Sequence, residues 1–288
     1  MLVSEASIAE HTARLTRGVR VVEDNRLWPP IVQGFVSETD PAELVAVVHR
    51  LITLGHLPDF RRTFHALIQC LLAGRIIEYQ RSQDLYMAAC DAELLPIQML
   101  LLRAPALLSA RTNDVLMDLT LRDIPLGTRK TMARSNDRTI LTRLALDPAV
   151  SVVTILLDNP LLVEEDVVRI VARRPNLQDI IELVAKHPKW SLRLTIHEAI
   201  VSNPYTPTTL AAAFVPFLNR SQLLEVSCDG RIHTAVRDVA RIVHQWRCEG
   251  MSIEQTPDGV VYELRPAELD GSPLDGASEA PANTNLEH

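Results

Sequence analysis

The chain has 288 residues, of which 47% are hydrophobic and only 4% aromatic, and its formal net charge is −7. Its apolar residues are mainly Leu, Ile, Val and Ala, which favours helices packed on helices over an aromatic-rich sandwich or barrel. The acidic balance argues against a general nucleic-acid binder, because phosphate contacts need a basic face.

The N-terminus and the cysteines indicate a cytoplasmic protein. The first residues lead into an amphipathic segment without an uninterrupted apolar stretch, so no signal peptide is predicted. The longest apolar run, near residues 94–102, is too short to span a bilayer. The four cysteines are far apart without CxxC spacing and are expected to be reduced: Cys70, Cys90, Cys228 and Cys248. The final Leu286-Glu287-His288 looks like the remnant of an expression tag.

Residues 1–112 are predicted to form an N-terminal helical region, either a bundle or degenerate repeats. Hydrophobic stripes and turn residues bound five helical segments, at about residues 7–22, 40–55, 58–74, 76–89 and 92–103. Trp28-Pro29-Pro30 interrupts the chain after the first segment, and Pro105 ends the last one.

A frame of asparagine, eleven residues and proline recurs from the middle of the chain. Two complete copies run from Asn136 to Pro148 and from Asn176 to Pro188, and a third runs from Asn219 to Asp229-Gly230. The asparagines are 40 positions apart (136 to 176) and 43 positions apart (176 to 219), a period typical of stacked helical repeats. A fainter copy, Asn113 to Pro125, is either a further unit or a chance match.

Each unit of this array, residues 113–250, is predicted to hold three helices. The asparagine is expected to be the N-cap of the first helix, and the residue before the proline leaves the helical region. The second helices are expected at about residues 149–157, 189–201 and 231–246, and third helices at about 163–173 and 207–218. Asn159-Pro160 and Asn203-Pro204 terminate the second helices. Glu164-Glu165-Asp166 falls in a first helical turn, where acids favour the helix dipole.

The turn and core residues carry a resemblance to a known class. Leu144-Ala145-Leu146-Asp147-Pro148 with Asp158-Asn159-Pro160, and Ala185-Lys186-His187-Pro188 with Ser202-Asn203-Pro204, resemble bacterial leucine-rich repeat variant and HEAT-like α-solenoids. The resemblance covers about residues 113–246 and implies a protein-binding scaffold more often than an enzyme, without motif residues to carry over. With the recurring frame, it predicts an all-α, HEAT/armadillo-like, right-handed helical repeat solenoid of roughly fifteen helices.

The pattern changes after Trp246. Residues 251–265 are predicted to form a β-hairpin around Pro257-Asp258-Gly259, and residues 266–288 a disordered tail. A lone hairpin is marginal in water, which leaves two fates. It caps the last helix near Val239, Ile242 and Val243, or it adds a strand across a homodimer or to a partner.

No catalytic or cofactor motif is found, so no enzyme activity, cofactor or metal is expected. Glycine-rich phosphate loops, the Gly-x-Ser-x-Gly elbow and His-Glu-x-x-His are absent from the sequence. His244 and Cys248 are four residues apart, but two ligands do not make a zinc site. The histidines are scattered and are interpreted as surface and turn residues: His11, His49, His56, His65, His187, His197, His233 and His244.

The predicted function is a non-catalytic scaffold that holds a protein or peptide segment on the concave face, lined by the third helices. The residues expected on that surface are Arg169, Arg173, Thr208, Thr209 and Ala212. The alternative is a HEAT-like nucleic-acid-binding protein or a DNA glycosylase-type enzyme. Its support is a set of basic residues: Arg129, Lys130, Arg134, Arg138, Arg143, Arg169, Arg173 and Arg174. Residues 126–200 hold eleven Lys or Arg against nine Asp or Glu, so a solvated face explains the set better.

Overall fold

The computed structural model describes residues 4–72 and 78–249 and two strands at 252–256 and 259–263. The described residues from 4 to 249 are helical, which confirms the all-α prediction for that part of the chain. They hold fifteen α-helices: α1 (Glu5–Val21), α2 (Trp28–Glu38), α3 (Pro41–Leu54), α4 (Pro58–Leu72), α5 (Tyr79–Asp91), α6 (Leu95–Leu101), α7 (Leu126–Met132), α8 (Arg138–Leu144), α9 (Val150–Leu157), α10 (Glu164–Ala172), α11 (Gln178–Lys186), α12 (Leu194–Val201), α13 (Thr208–Phe214), α14 (Arg220–Cys228) and α15 (Thr234–Glu249).

Local caps explain the starts of the N-terminal helices. The Ser4 side chain accepts a hydrogen bond from the Ser7 amide at α1, and the Asp40 side chain accepts one from the Ala42 amide at α3. The two prolines after Trp28 lie in the first turn of α2, where their missing amide hydrogens cost nothing. These helices bury their apolar stripes against one another: α1 contacts α3 and α4, α2 contacts α4, and α3 contacts α5.

The later helices fall into three consecutive groups of three. Counted in chain order, repeat 1 comprises α7–α9, repeat 2 comprises α10–α12, and repeat 3 comprises α13–α15. The second helices predicted from the frame correspond to α9, α12 and α15, and the predicted third helices correspond to α10 and α13. Within repeat 2, α10 packs on both α11 and α12, while α9 packs on α11 and α12 packs on α13 of the neighbouring repeats. The fainter copy of the frame, Asn113 to Pro125, holds two 3₁₀ turns and no α-helix.

The end of the repeated frame makes the same turn in all three copies. Asp147 Oδ1 accepts from the Ala149 amide at 2.8 Å, and Asp229 Oδ1 accepts from the Arg231 amide at 2.9 Å. His187 Nδ1 takes the same role and accepts from the Lys189 amide at 3.2 Å. Each copy therefore ends with a side-chain acceptor that binds the amide two residues further on, just after α8, α11 or α14, with or without a proline between them.

The start of the frame is less regular. Asn219 is the predicted N-cap: it accepts from the Gln222 amide at 3.0 Å, and Gln222 reciprocates. The prediction is wrong for Asn136, because Asp137 caps α8 by accepting from the Thr139 amide at 2.8 Å. It is also wrong for Asn176, which is buried and donates to the Ile170 and Val171 carbonyls of α10.

Two other asparagines close the repeats. Asn159, after α9, donates to the carbonyls of Ala133 and Ser135 beyond the end of α7, at 2.9 and 3.0 Å. Asn203, after α12, donates in the same way to the carbonyls of Val171 and Arg173 at the end of α10, at 2.5 and 3.0 Å. Each buried amide thus satisfies carbonyls that a helix end leaves without intrahelical partners.

The N-terminal helices and the repeats belong to one compact body that ends at Arg247. Helix α6 packs on α13. Arg247 of α15 is buried, and its guanidinium donates to four carbonyls: those of Ile52 and Thr53 near the end of α3, and those of Pro216 and Leu218 after α13.

Residues 248–288 form a second body. Within it, β1 (Ser252–Thr256) pairs antiparallel with β2 (Gly259–Glu263), with Ser252 opposite Glu263 and Thr256 opposite Gly259. The turn residues Pro257 and Asp258 and the tail 264–288 lie outside the described residues. The hairpin with its turn and the disordered tail therefore stay predictions.

Candidate functional site

The five residues predicted to form one interaction surface lie in three different environments. Arg169 of α10 is exposed. Arg173, at the end of the same helix, is half-buried and donates to the Leu146 carbonyl of repeat 1 at 2.6 Å. Burial lowers the pKa of Arg173 to about 10, with the Asp147 carboxylate opposing that shift. Arg173 therefore joins two repeats.

The three residues of α13 are covered by the chain itself. Thr208 donates to the Pro105 carbonyl at 2.5 Å, and Thr209 donates to the Leu102 carbonyl at 2.7 Å and accepts from the Ala104 amide at 2.9 Å. Ala212 is buried. The expectation that Thr208 and Ala212 are exposed is thus wrong. The burial of α13 could have been predicted from its sequence, Thr-Thr-Leu-Ala-Ala-Ala-Phe. A helix that is apolar on all sides is usually buried.

A groove of about 910 Å³ remains open beside this covered helix. We call it the α4–α13 groove. It lies between α4, the end of α6 with the segment through Pro105, α11 and α13. Its lining is mainly apolar and includes Ile68, Leu71, Leu72, Leu100, Leu101, Leu210 and Ala213. Thr209, from the predicted surface, also lines it.

The polar rim of the groove is asymmetric in charge. Glu182 and Lys186 of α11 neutralise each other across a 2.8 Å ion pair. Arg103 on the opposite side is exposed and has no carboxylate within ion-pair distance among the described residues. Leu102, which lines the groove, also keeps 40% of its surface in water.

The described lining of the groove includes one cysteine and one carboxylate. Cys70 lines its wall, but burial raises the pKa of this thiol to about 12, so it stays protonated and a poor nucleophile near neutral pH. Its only lining carboxylate, Glu182, is held by Lys186. This arrangement suits binding of an amphipathic chain segment, because the apolar side chains bury surface and the polar side chains among them fix orientation.

The groove could not be predicted from periodicity. Its apolar runs, residues 67–72 and 94–102, are visible in the sequence, and each forms helix as expected. Their meeting with α11 and α13 joins residues about a hundred positions apart, and no local pattern encodes that pairing.

Many of the basic residues that favoured a nucleic-acid surface are engaged within the fold. Arg129 pairs with the buried Asp147 at 2.5 Å, and Arg138 of repeat 1 pairs with the buried Asp166 of repeat 2. Arg174 donates to the Ser202 carbonyl at 2.6 Å. Fewer guanidinium groups are therefore available for phosphate contacts than the sequence suggested.

Comparison with known proteins gives no match: no family model fits the chain, and neither a curated protein nor a solved structure is similar to it. Within residues 4–72 and 78–249, no helix is both long and apolar enough to cross a bilayer. The same residues contain no cluster of three or more His, Cys, Asp or Glu side chains able to hold a metal ion.

Proposed function

We propose that this protein is a non-catalytic scaffold whose α4–α13 groove binds an apolar segment of a partner protein. The observation that carries the proposal is the groove itself, a trough lined mostly by apolar residues with the exposed Leu102 at its edge. Contiguous exposed apolar surface of this kind marks interaction sites on soluble proteins. The groove takes the place of the concave surface expected along the third helices, since α13 is covered by residues 102–105.

The charges at the rim select the chemistry of the partner. A segment with leucine-like anchors fits the apolar floor, and a carboxylate on that segment complements Arg103, which forms no ion pair with any described residue. Rim charges mainly set association rate and specificity, whereas buried apolar anchors supply most of the affinity. We therefore propose an amphipathic, acidic partner segment.

The repeat plan is consistent with a right-handed solenoid closed by the C-terminal hairpin, and we propose both as part of this scaffold. Support for the solenoid comes from three successive three-helix groups with the same turn before each second helix. For the hairpin, capping and strand addition in a homodimer predict different results of truncation after Gly250. Loss of the cap lowers the melting temperature, whereas loss of a strand-addition edge converts a dimer to a monomer.

The groove proposal is tested with a partner captured from the source cell and a synthetic peptide from its contact segment. We expect Arg103→Glu to weaken peptide binding about tenfold or more, since it sets a carboxylate against an acidic segment. Arg134→Glu makes the same charge change at an exposed residue just after α7 and should leave the affinity unchanged. Equal affinities for wild type and Arg103→Glu would contradict the proposal.

The nucleic-acid alternative predicts a salt-dependent shift of labelled duplex DNA at micromolar protein. We expect no such shift, because Arg129, Arg138 and Arg173 hold carboxylates or carbonyls of the chain itself. A shift that weakens steeply with salt would favour the alternative over the scaffold.

A further inference from the structure

A second cleft, of about 630 Å³, has features that the α4–α13 groove does not share. It lies between the loop before α2, the first turns of α4, the loop between α11 and α12, and Phe217. Two histidines that the sequence suggested were surface or turn residues line it: His65 of α4 and His197 of α12 are both buried. Their rings stack with centroids 6.2 Å apart. We call this the histidine cleft.

One carbonyl fixes the protonation of both rings. The Ser191 carbonyl oxygen lies 2.7 Å from His65 Nε2 and 2.6 Å from His197 Nε2. A carbonyl oxygen only accepts, so both Nε2 atoms must carry hydrogen. Gln69 Nε2 also lies 3.4 Å from His65 Nε2, but it donates to the Ala185 carbonyl at 2.8 Å, which is the better hydrogen bond.

The remaining ring nitrogens are therefore acceptors without donors. Nδ1 of His65 and Nδ1 of His197 are both buried and have no hydrogen-bond partner. Protonation does not relieve them near neutral pH, because burial lowers the pKa of His65 to about 4 and that of His197 to about 3. A buried polar atom without a partner is costly. The two Nδ1 acceptors therefore favour a ligand that donates hydrogen bonds.

Two arginines supply the opposite chemistry on the same wall. Arg61 and Arg62 are half-buried, and within the described part of the chain their hydrogen bonds run only to carbonyls, those of His56 and Val22. The Nε atom of each is buried without a partner, and no carboxylate lies within ion-pair distance of either among the described residues. Arg62 is held over the Trp28 ring, with its guanidinium carbon 5.3 Å from the ring centroid.

The two arginines also lie at a helix end that favours a bound anion. Both lie in the first turns of α4, at the positive end of the helix dipole, where anions are stabilised and cations are not. The acids nearby do not neutralise them. Asp24 is bound to Arg26 at 2.8 Å, while Asp59 and Glu23 are exposed and form no ion pair with either arginine. A metal ion is disfavoured here because two guanidinium groups would repel it.

We propose that the histidine cleft binds a small oxyanion that carries its own hydroxyl group, either a phosphate or a hydroxycarboxylate. The charged oxygens accept from Arg61 and Arg62, and the hydroxyl donates to Nδ1 of a histidine. Hydrogen phosphate fits this description because it keeps an O–H group near neutral pH. Sulfate has the same shape and no hydrogen, so its oxygens would face the histidine lone pairs.

The first test measures binding of inorganic phosphate and of sulfate to the full chain by titration calorimetry, at neutral pH and constant ionic strength. We expect phosphate to bind about tenfold tighter than sulfate, the size expected for one hydrogen bond to a charged group. Glycerate against propionate repeats the comparison for carboxylates and identifies which anion family the cleft prefers. Equal binding of phosphate and sulfate, together with equal binding of glycerate and propionate, would overturn the proposal, as would no binding of any of them.

Variants then locate the site. Arg61→Gln should weaken phosphate binding about tenfold, whereas Arg134→Gln, which removes the same charge from an exposed residue just after α7, should not change it. In His197→Gln the amide nitrogen can still donate to the Ser191 carbonyl, but the Nδ1 acceptor is lost, so the preference for phosphate over sulfate should fall. Unliganded melting curves show which variants fold, and His65→Gln replaces His197→Gln if that variant does not. Unchanged binding by Arg61→Gln would place the anion elsewhere and refute the assignment.

Discussion

Single buried polar side chains join neighbouring helices in the repeats. Asn159 and Asn203 each span from the end of one helix to the carbonyls at the end of another, in two successive repeats. These asparagines are 44 positions apart (159 to 203), close to the period of the frame. Removing one leaves buried carbonyls without donors, which costs more than the hydrogen bonds contribute on balance.

The first prediction compares two asparagines of similar sequence context. Asn203→Ala should lower the free energy of unfolding by about 2–4 kcal/mol, because it leaves the Arg173 carbonyl without its donor, leaves the Val171 carbonyl only the longer hydrogen bond from Asn176, and opens a small void. Asn136→Ala is the matched control and should change it by less than about 0.5 kcal/mol, since Asn136 is exposed. Urea unfolding measures both, and a similar loss in the two variants would contradict the assignment.

The second prediction concerns acid. The pKa values of His65 and His197 are about 4 and about 3, below that of an unfolded histidine, so the unfolded chain binds more protons as pH falls below about 6.5. Stability should therefore drop between pH 7 and pH 5 by about 2 kcal/mol for each ring. The double variant His65→Gln/His197→Gln should lose most of this dependence while other buried histidines keep theirs. An equally steep pH profile in the double variant would show that the rings do not titrate in this way.

At the scale of whole elements, α15 is fastened to α3 by one side chain. Arg247 donates to carbonyls near the end of α3 and after α13, at distances from 2.5 to 3.2 Å. A helix leaves its last carbonyls without intrahelical donors, and this guanidinium supplies them from about 195 positions away. Burial lowers the pKa of Arg247 to about 9, and the four carbonyls compensate the charge.

The third prediction follows from that contact. Arg247→Met should destabilise the protein by about 3–5 kcal/mol, because it removes the guanidinium donor from four buried carbonyls, of which, among the described residues, only that of Thr53 keeps a contact, with His56 Nδ1. Arg241→Met, on the same helix, removes an exposed arginine paired only with Asp238 and should cost at most about 1 kcal/mol. Chemical denaturation of the two variants gives the comparison, and equal losses would mean that Arg247 is not the fastening point.

Elements were predictable where the signal is local. Asp40 and Pro41 mark the start of α3, and the acceptors at Asp147 and Asp229 mark the turns before second helices, because caps and turns act over two or three residues. The interaction surface was not predictable in the same way. Thr208 is buried by Pro105, about a hundred positions earlier, and His65 meets His197 across a still longer separation. The hydrophobic periodicity of the sequence does not predict contacts between residues so far apart in the chain.

At the scale of the molecule, the six N-terminal helices and the repeats share one core up to Arg247. Helix α13 is buried along its length, and α6 and residues 102–105 supply part of that cover. The boundary predicted near residue 112 therefore separates sequence patterns, while the packing continues across it.

The fourth prediction tests this shared core by dissection. Residues 113–250 expressed alone should aggregate or melt without cooperativity, because α13 would expose its apolar surface to water. Adding residues 1–112 in trans should restore a cooperative thermal transition followed by circular dichroism. If the fragment melts cooperatively at the temperature of the full chain, the two regions are independent domains.

The position of Arg247 late in the sequence also has a consequence for synthesis of the protein on the ribosome. The carbonyls at the end of α3 are translated almost two hundred residues before the arginine that binds them. At the usual ribosomal speed of about 5–20 residues per second, that interval is about 10–40 s. During this interval the N-terminal helices lack the contact with Arg247. Nascent chains that are incompletely packed are the ones that chaperones bind and proteases cleave. A chain stopped before residue 247 would keep that exposure permanently, so premature termination late in this protein should be as damaging as termination early in it.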